Sequence, residues 1–187
     1  AVSIPVIGDG DTGHGNAANV QRTMHQFQRA GFAGIMLEDQ VSPKRCGHSV
    51  VKEVVDRDIA VERIRAAVEA RRQGADLVIV ARTDARSAFA QRYGESRALD
   101  EALWRLNAFA DLGADVLFLE APRSEQEMLR FCNEVPGKRM ANMLEVGVTP
   151  LLLPEQLGAM GFHLVAYPLT LLASAAFAMR QAVMDLQ

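Results

Sequence analysis

Two aspartates separated by a single glycine, Asp9 and Asp11, close an apolar run that begins at Pro5. Residues i and i+2 of a strand project to the same face, so both carboxylates can be aimed at one point. Converging carboxylates repel unless a cation or a proton lies between them. Hard oxygen donors suit Mg²⁺, with Mn²⁺ as the alternative. Glu38 ends the next apolar run and supplies a third acid. Taken alone, Asp9 and Asp11 also read as an Asx-turn leading into a helix cap; the third acid at a neighbouring strand end weighs for the metal. Mg²⁺ keeps several of its waters, so one carboxylate binds directly in this reading and the others act through water.

The segment from Glu38 to His48 carries the second constellation. Cys46 follows Lys44 and Arg45 and stands two residues before His48. Positive neighbours lower a thiol's pKa and make it a usable acid, base or nucleophile near neutral pH, and Gly47 permits close backbone approach to a ligand. The bland reading is a small residue in a basic surface loop. Arg82 ends a third apolar run, an unfavourable place for a cation unless it meets an anion. A bidentate contact to a carboxylate or phosphate is its natural use, and an ion pair to Glu38 or Glu120 is the structural alternative. Arg86 reads as a surface or lid residue. Glu120 and Asn142 end two further runs. Cys132, on the amphipathic stretch around Leu129, reads as core, as do Met24, Phe27, Phe109 and Met179.

The elements that must position these groups repeat every 30 residues or so, the size of a βα unit. Apolar runs at 5–11, 34–38, 77–82, 116–120, 139–142 and 163–167 alternate with helical patterns at 16–29, 58–73, 96–112, from Ser124, at 154–160, and in an Ala/Met-rich stretch to the end. Residues 83–95 read as a loop. The runs are continuously apolar, as in strands buried on both faces. Glycines at 31, 74, 113 and 161 stand where helices stop. This pattern predicts a parallel α/β sheet. Five of the six runs end in a charged or amide side chain. In a closed barrel all strand C-termini share one mouth, whereas an open sheet needs such residues only at its switch point. The expected fold is therefore a (β/α)8 TIM-type barrel, 1–187 forming a single domain that carries the last six βα units and lacks about two N-terminal ones.

Composition narrows the class further. Net charge is −3 with acids and bases interspersed, which points away from nucleic acid and anionic membrane surfaces. No apolar run reaches the roughly 18–20 residues of a membrane span. Two scattered cysteines fit a reducing compartment, with the cytoplasm as the default. Four scattered histidines lack zinc spacing.

Taken together, the motifs resemble the isocitrate lyase/phosphoenolpyruvate mutase superfamily. The matching segments are Asp9 to Asn16, Leu37 to Gln40, Pro43 to His48, Ala81 to Ala85, Phe118 to Pro122, Asn142 to Glu145 and Gly161 to Pro168. They run in order along the whole chain, and Lys44 to His48 is specific to the lyase side. The resemblance implies a Mg²⁺-dependent barrel assembled as a homotetramer or dimer of dimers with a swapped C-terminal helix. It implies Asp9 as the direct metal ligand, with Asp11 and Glu38 acting largely through water. Cys46 becomes the general acid/base, with Arg82 beside it in the chemistry. Lys44, Gly47, His48, Glu120 and Asn142 line the substrate. The chain departs from the family pattern at His14, where Tyr is usual, at Leu144, where methylisocitrate lyases carry Thr, and at Val148, where related members carry Lys.

The expected function is a carbon–carbon bond lyase acting on a 2-hydroxy- or 2-oxo-dicarboxylate of the 2-alkylmalate, dimethylmalate or oxaloacetate type. The alternatives are a carboxyphosphoenolpyruvate or phosphoenolpyruvate mutase, an oxaloacetate decarboxylase, or a truncated barrel that only binds ligand.

Overall fold

The computed structural model describes residues 2–44 and 52–186. Among the described residues, six strands alternate with seven helices. The first half contains β1 (Ile7–Asp9), α1 (Ala17–Arg29), β2 (Gly34–Glu38), α2 (Arg57–Arg72), β3 (Val78–Thr83), α3 (Ala85–Tyr93) and α4 (Glu95–Leu112). The second contains β4 (Val116–Leu119), α5 (Glu125–Glu134), β5 (Lys138–Asn142), α6 (Pro154–Met160), β6 (Leu164–Ala166) and α7 (Thr170–Asp185).

The strands pair in chain order from β1 to β6, and every pair is parallel. A doubly wound sheet reverses its strand order at a switch point; this one never does. With right-handed crossovers, an unreversed order sends every connecting helix to one face. The sheet curls around its other face into a half-barrel, the partial (β/α)8 architecture that the strand ends predict.

Side-chain parity shows the two faces. Ile35, Leu37, Ile79, Ala81, Leu117, Leu119 and Ala141 pack into the large core beneath the helices. The intervening Met36, Val80, Phe118, Met140 and Leu164 form a smaller inner cluster. Met36, Val80, Met140 and Leu164 line a cavity of about 290 Å³ that also touches Asp9. Continuous apolar runs arise because both parities have an apolar neighbour.

Local signals fix the helix ends. Asn16 and Asn19 exchange side-chain to backbone hydrogen bonds at the start of α1, and the Ser124 hydroxyl accepts from Glu127 N–H at the start of α5. Gly113 and Gly161 adopt left-handed conformations at helix C-termini, with φ of 99° and 106°.

Three expectations need correction. Residues 85–93 form a helix, α3, and not a loop. Arg86 on it is buried and holds Glu127 through two hydrogen bonds of 2.9 and 2.6 Å, with Glu95 as a further ion-pair partner. Met179 is 62% exposed, and no residue of α7 is buried among the described residues. Among the described residues no helix is long and apolar enough to cross a membrane.

Candidate active site at the strand C-termini

Glu38 and Arg82 share the parity of Met36 and Val80, and Glu120 and Asn142 that of Phe118 and Met140. Each therefore projects from the inner face, one step beyond the apolar cluster, at the C-terminal end of its strand. Glu38 and Arg82 are direct partners in the β2–β3 register. The barrel mouth thus brings together Asp9, Asp11, Lys44, Glu38, Arg82, Glu120 and Asn142.

Asp9 and Asp11 meet by a different route from strand alternation. β1 ends at Asp9, and Asp11 lies in the turn beyond it with φ of 50°. Asp11 N–H donates to Asp9 Oδ1 at 2.9 Å, an Asx-turn, so the turn and the acid pair are one structure. Gly10 allows it: a Cβ there would stand 2.7 Å from Ile35 Cδ1, so glycine is needed for the turn to lie on β2. Among the described residues the non-glycine residues with positive φ are Asp11, His14, Ala121 and Val146. All four lie in loops that leave strand C-termini, where held backbone strain clusters at functional sites.

The Lys44 ammonium enters this acid group, 2.8 Å from Asp9 Oδ2, 2.5 Å from Asp11 Oδ1 and 3.8 Å from Glu38 Oε2. Burial acts to raise the pKa of Asp9, but hydrogen bonds from Lys44 and Asp11 N–H outweigh it and hold the carboxyl below its ordinary value. Glu38 goes the other way. Burial, helped by the charges of Asp84 and Asp9, pushes it up to about 7 against the pull of Arg82 and Lys44.

Mg²⁺ suits these donors. Both Glu38 carboxylate oxygens and Asn142 Oδ1 are buried and accept no hydrogen bond among the described residues, and Asp9 and Asp11 already gather a positive charge. Among the described residues no three His, Cys, Asp or Glu side chains stand close enough to enclose a metal alone.

Arg82 is nearly enclosed. Its Nε and Nη2 donate to Asp84 at 2.9 and 3.0 Å. Glu38 and Glu120 lie farther off, at 3.5 and 3.7 Å. The Phe118 ring centroid is 5.3 Å from its guanidinium carbon. Both structural ion pairs foreseen for Arg82 therefore exist, at longer range than the pair with Asp84. Asn142 Nδ2 approaches Glu120 Oε2 at 3.5 Å.

Sequence reasoning missed the layer behind the mouth. Asp39 has the opposite parity to Glu38 and points into the helix layer. It accepts from Thr83 Oγ1 at 2.6 Å, Asp84 N–H at 2.9 Å and Arg105 Nη1 at 3.1 Å. Lys52, its side chain only 1% exposed, donates to Asp84 Oδ1 at 2.6 Å. The available signal was a charged residue at a position that strand parity directs inward. Cys46, Gly47 and His48 lie outside the described residues.

The family model described as phosphoenolpyruvate phosphomutase matches residues 1–187. A 2,3-dimethylmalate lyase of Eubacterium barkeri is 46% identical over 168 residues, covering 90% of this chain and 55% of that protein. A chloroplastic carboxyvinyl-carboxyphosphonate phosphorylmutase of Arabidopsis thaliana is 44% identical over 172 residues, covering 92% and 49%. The solved structure of an oxaloacetate acetylhydrolase with the inhibitor 3,3-difluorooxalacetate superimposes with a TM-score of 0.85 at 40% identity, covering 97% of this chain and 59% of that one. The chain spans about half the length of the curated relatives it matches.

Proposed function

The chain belongs to the phosphoenolpyruvate phosphomutase family, within the isocitrate lyase/phosphoenolpyruvate mutase superfamily, and from that premise we propose that it carries the metal side of a Mg²⁺-dependent carbon–carbon bond lyase. The substrate class is a 2-hydroxy- or 2-oxo-dicarboxylate of the 2-alkylmalate, dimethylmalate or oxaloacetate type. The observation that carries this reading is the convergence of Asp9, Asp11 and Glu38 on one positive charge beside the enclosed Arg82.

Asp9 would hold the ion directly, with Asp11 and Glu38 acting through its waters. Bound there, Mg²⁺ supplies a Lewis acid for a carboxylate and its neighbouring oxygen and so stabilises enolate charge. Arg82 faces the same space and neutralises charge that grows as the bond breaks. Cys46 donates a proton to the departing carbanion. Lys44, Gly47, His48, Glu120 and Asn142 orient the substrate, and Asn142 Oδ1, which accepts no hydrogen bond among the described residues, can accept one from a substrate hydroxyl. A cytoplasmic homotetramer or dimer of dimers is part of the same proposal.

Two relatives support the lyase reading: the 2,3-dimethylmalate lyase and the oxaloacetate acetylhydrolase. The phosphorylmutase relative supports phosphorus–carbon chemistry as the second reading; Cys46 with Gly47 and His48 weighs against it. A turnover screen with Mg²⁺ over 2-alkylmalates, oxaloacetate, methylisocitrate and carboxyphosphoenolpyruvate separates the two. Cleavage of a dicarboxylate is expected, and turnover of the phosphorus substrate alone overturns the lyase assignment.

A further inference from the structure

Arg82 reaches the mouth from a strand end, where a long side chain has several rotamers open to it and three carboxylates to choose from. Among the described residues only one of the three accepts a hydrogen bond from it. Asp84 takes Nε and Nη2 together, at 2.9 and 3.0 Å, which fixes the plane of the guanidinium as a single contact cannot. Among the described residues Nη1 donates to none of the three carboxylates.

Asp84 lies only two residues from Arg82, and a local pair of this kind could swing as a unit. Three contacts from elsewhere prevent it. Asp39 Oδ1 accepts the Asp84 N–H at 2.9 Å, and Asp39 Oδ2 accepts from Thr83 Oγ1 at 2.6 Å, so the whole Arg82–Thr83–Asp84 turn is pinned to the end of β2. Lys52 places its ammonium 2.6 Å from Asp84 Oδ1. Asp39 is in turn held by Arg105 of α4 at 3.1 Å. Asp39, Asp84, Lys52 and Arg105 all have side chains no more than 2% exposed. Burying four ionised groups is costly unless each is matched, and apolar residues would fill the same space more cheaply. What an apolar set cannot do is hold a guanidinium in one orientation.

We propose that Asp84 is the positioning residue for Arg82, and that Asp39 and Lys52 exist to hold Asp84 in place. The proposal rests on Arg82 meeting the substrate as argued above.

A double-mutant cycle read by oxalate binding tests this, with isothermal titration of the purified protein at saturating Mg²⁺. D84N should weaken oxalate at least tenfold when Arg82 is present and change it less than twofold in an R82M background. K52M should show a smaller loss with the same dependence on Arg82. It also serves as the cycle partner if D84N does not fold, as judged by its melting curve. An equal loss in both backgrounds means a merely structural role and overturns the proposal, as does no loss with Arg82 intact. Failure of the underlying reading shows separately: oxalate affinity unchanged by R82M alone removes Arg82 from the site and the proposal with it.

Discussion

Lys44 Nζ lies 2.8 Å from Asp9 Oδ2, on the carboxylate assigned to hold the metal directly. The ammonium and Mg²⁺ therefore compete for one cluster of negative charge. The two side chains are 31% and 51% exposed, so the pair is partly screened and contributes about 1 kcal/mol. Lys44→Met should accordingly tighten Mg²⁺ binding in the absence of substrate by about fivefold, measured by titration at low salt. The gain should shrink as ionic strength rises. Weaker binding in the variant would mean that Lys44 supports the metal instead of competing with it.

Glu38 gives metal binding its own pH dependence. Burial pushes its carboxyl to about 7, so below that pH the folded, metal-free protein carries a proton that a cation must expel. Mg²⁺ affinity should rise between about pH 5 and 7, by at most about tenfold per unit for one proton, and level off above. Glu38→Gln should flatten that segment. The metal-free fold follows the opposite sign. The unfolded chain loses this proton near 4.5 and the folded one near 7, so the Glu38 contribution to stability falls as pH rises through that window. Chemical denaturation at several pH values with a chelator present checks it.

Which parts were readable from sequence follows from whether the signal is local. β2 coincides with its apolar run, Gly34–Glu38, because both its faces meet apolar neighbours. The mouth residues were legible for a related reason: a charge that ends such a run must sit where the strand leaves the sheet. α3 was not, since its buried positions include Arg86, whose partners Glu127 and Glu95 come from other helices. Lys52, Asp84, Asp39 and Arg105 escaped in the same way. Each is a charge that reads as surface until the fold supplies its partner from 32 or 66 residues away. Met179 fails in reverse: periodicity reports that a face of α7 is apolar, not what lies against it. Asp11 stands beside Asp9, but a left-handed turn and not strand alternation brings it there.

Cys46 is assigned the proton that quenches the carbanion, a role that demands a group able to give up a proton near neutral pH. Serine keeps the size and loses that acidity. Cys46→Ser should lower turnover of the responsive dicarboxylate by at least about a hundredfold, while Mg²⁺ and oxalate affinities stay within about twofold. Full turnover in the variant removes Cys46 from the chemistry without touching the metal assignment.

Asp39 and Arg105 form an ion pair sealed from water, 3.1 Å apart with side chains 1% and 2% exposed. Removing one partner leaves the other charge buried, which costs about 3–5 kcal/mol. Arg105→Met should lower the free energy of urea unfolding by that amount. Arg65→Met, which breaks an exposed pair with Glu62 on α2, should stay within about 0.5 kcal/mol. Asp39 keeps hydrogen bonds from Thr83 and from Asp84 N–H that an amide oxygen can also accept. Asp39→Asn combined with Arg105→Met should therefore be more stable than Arg105→Met alone, because the uncompensated charge is gone. If the double variant is instead the less stable, the cost of Arg105→Met comes from the arginine's lost contacts, such as that over the Phe89 ring of α3, and not from the stranded carboxylate.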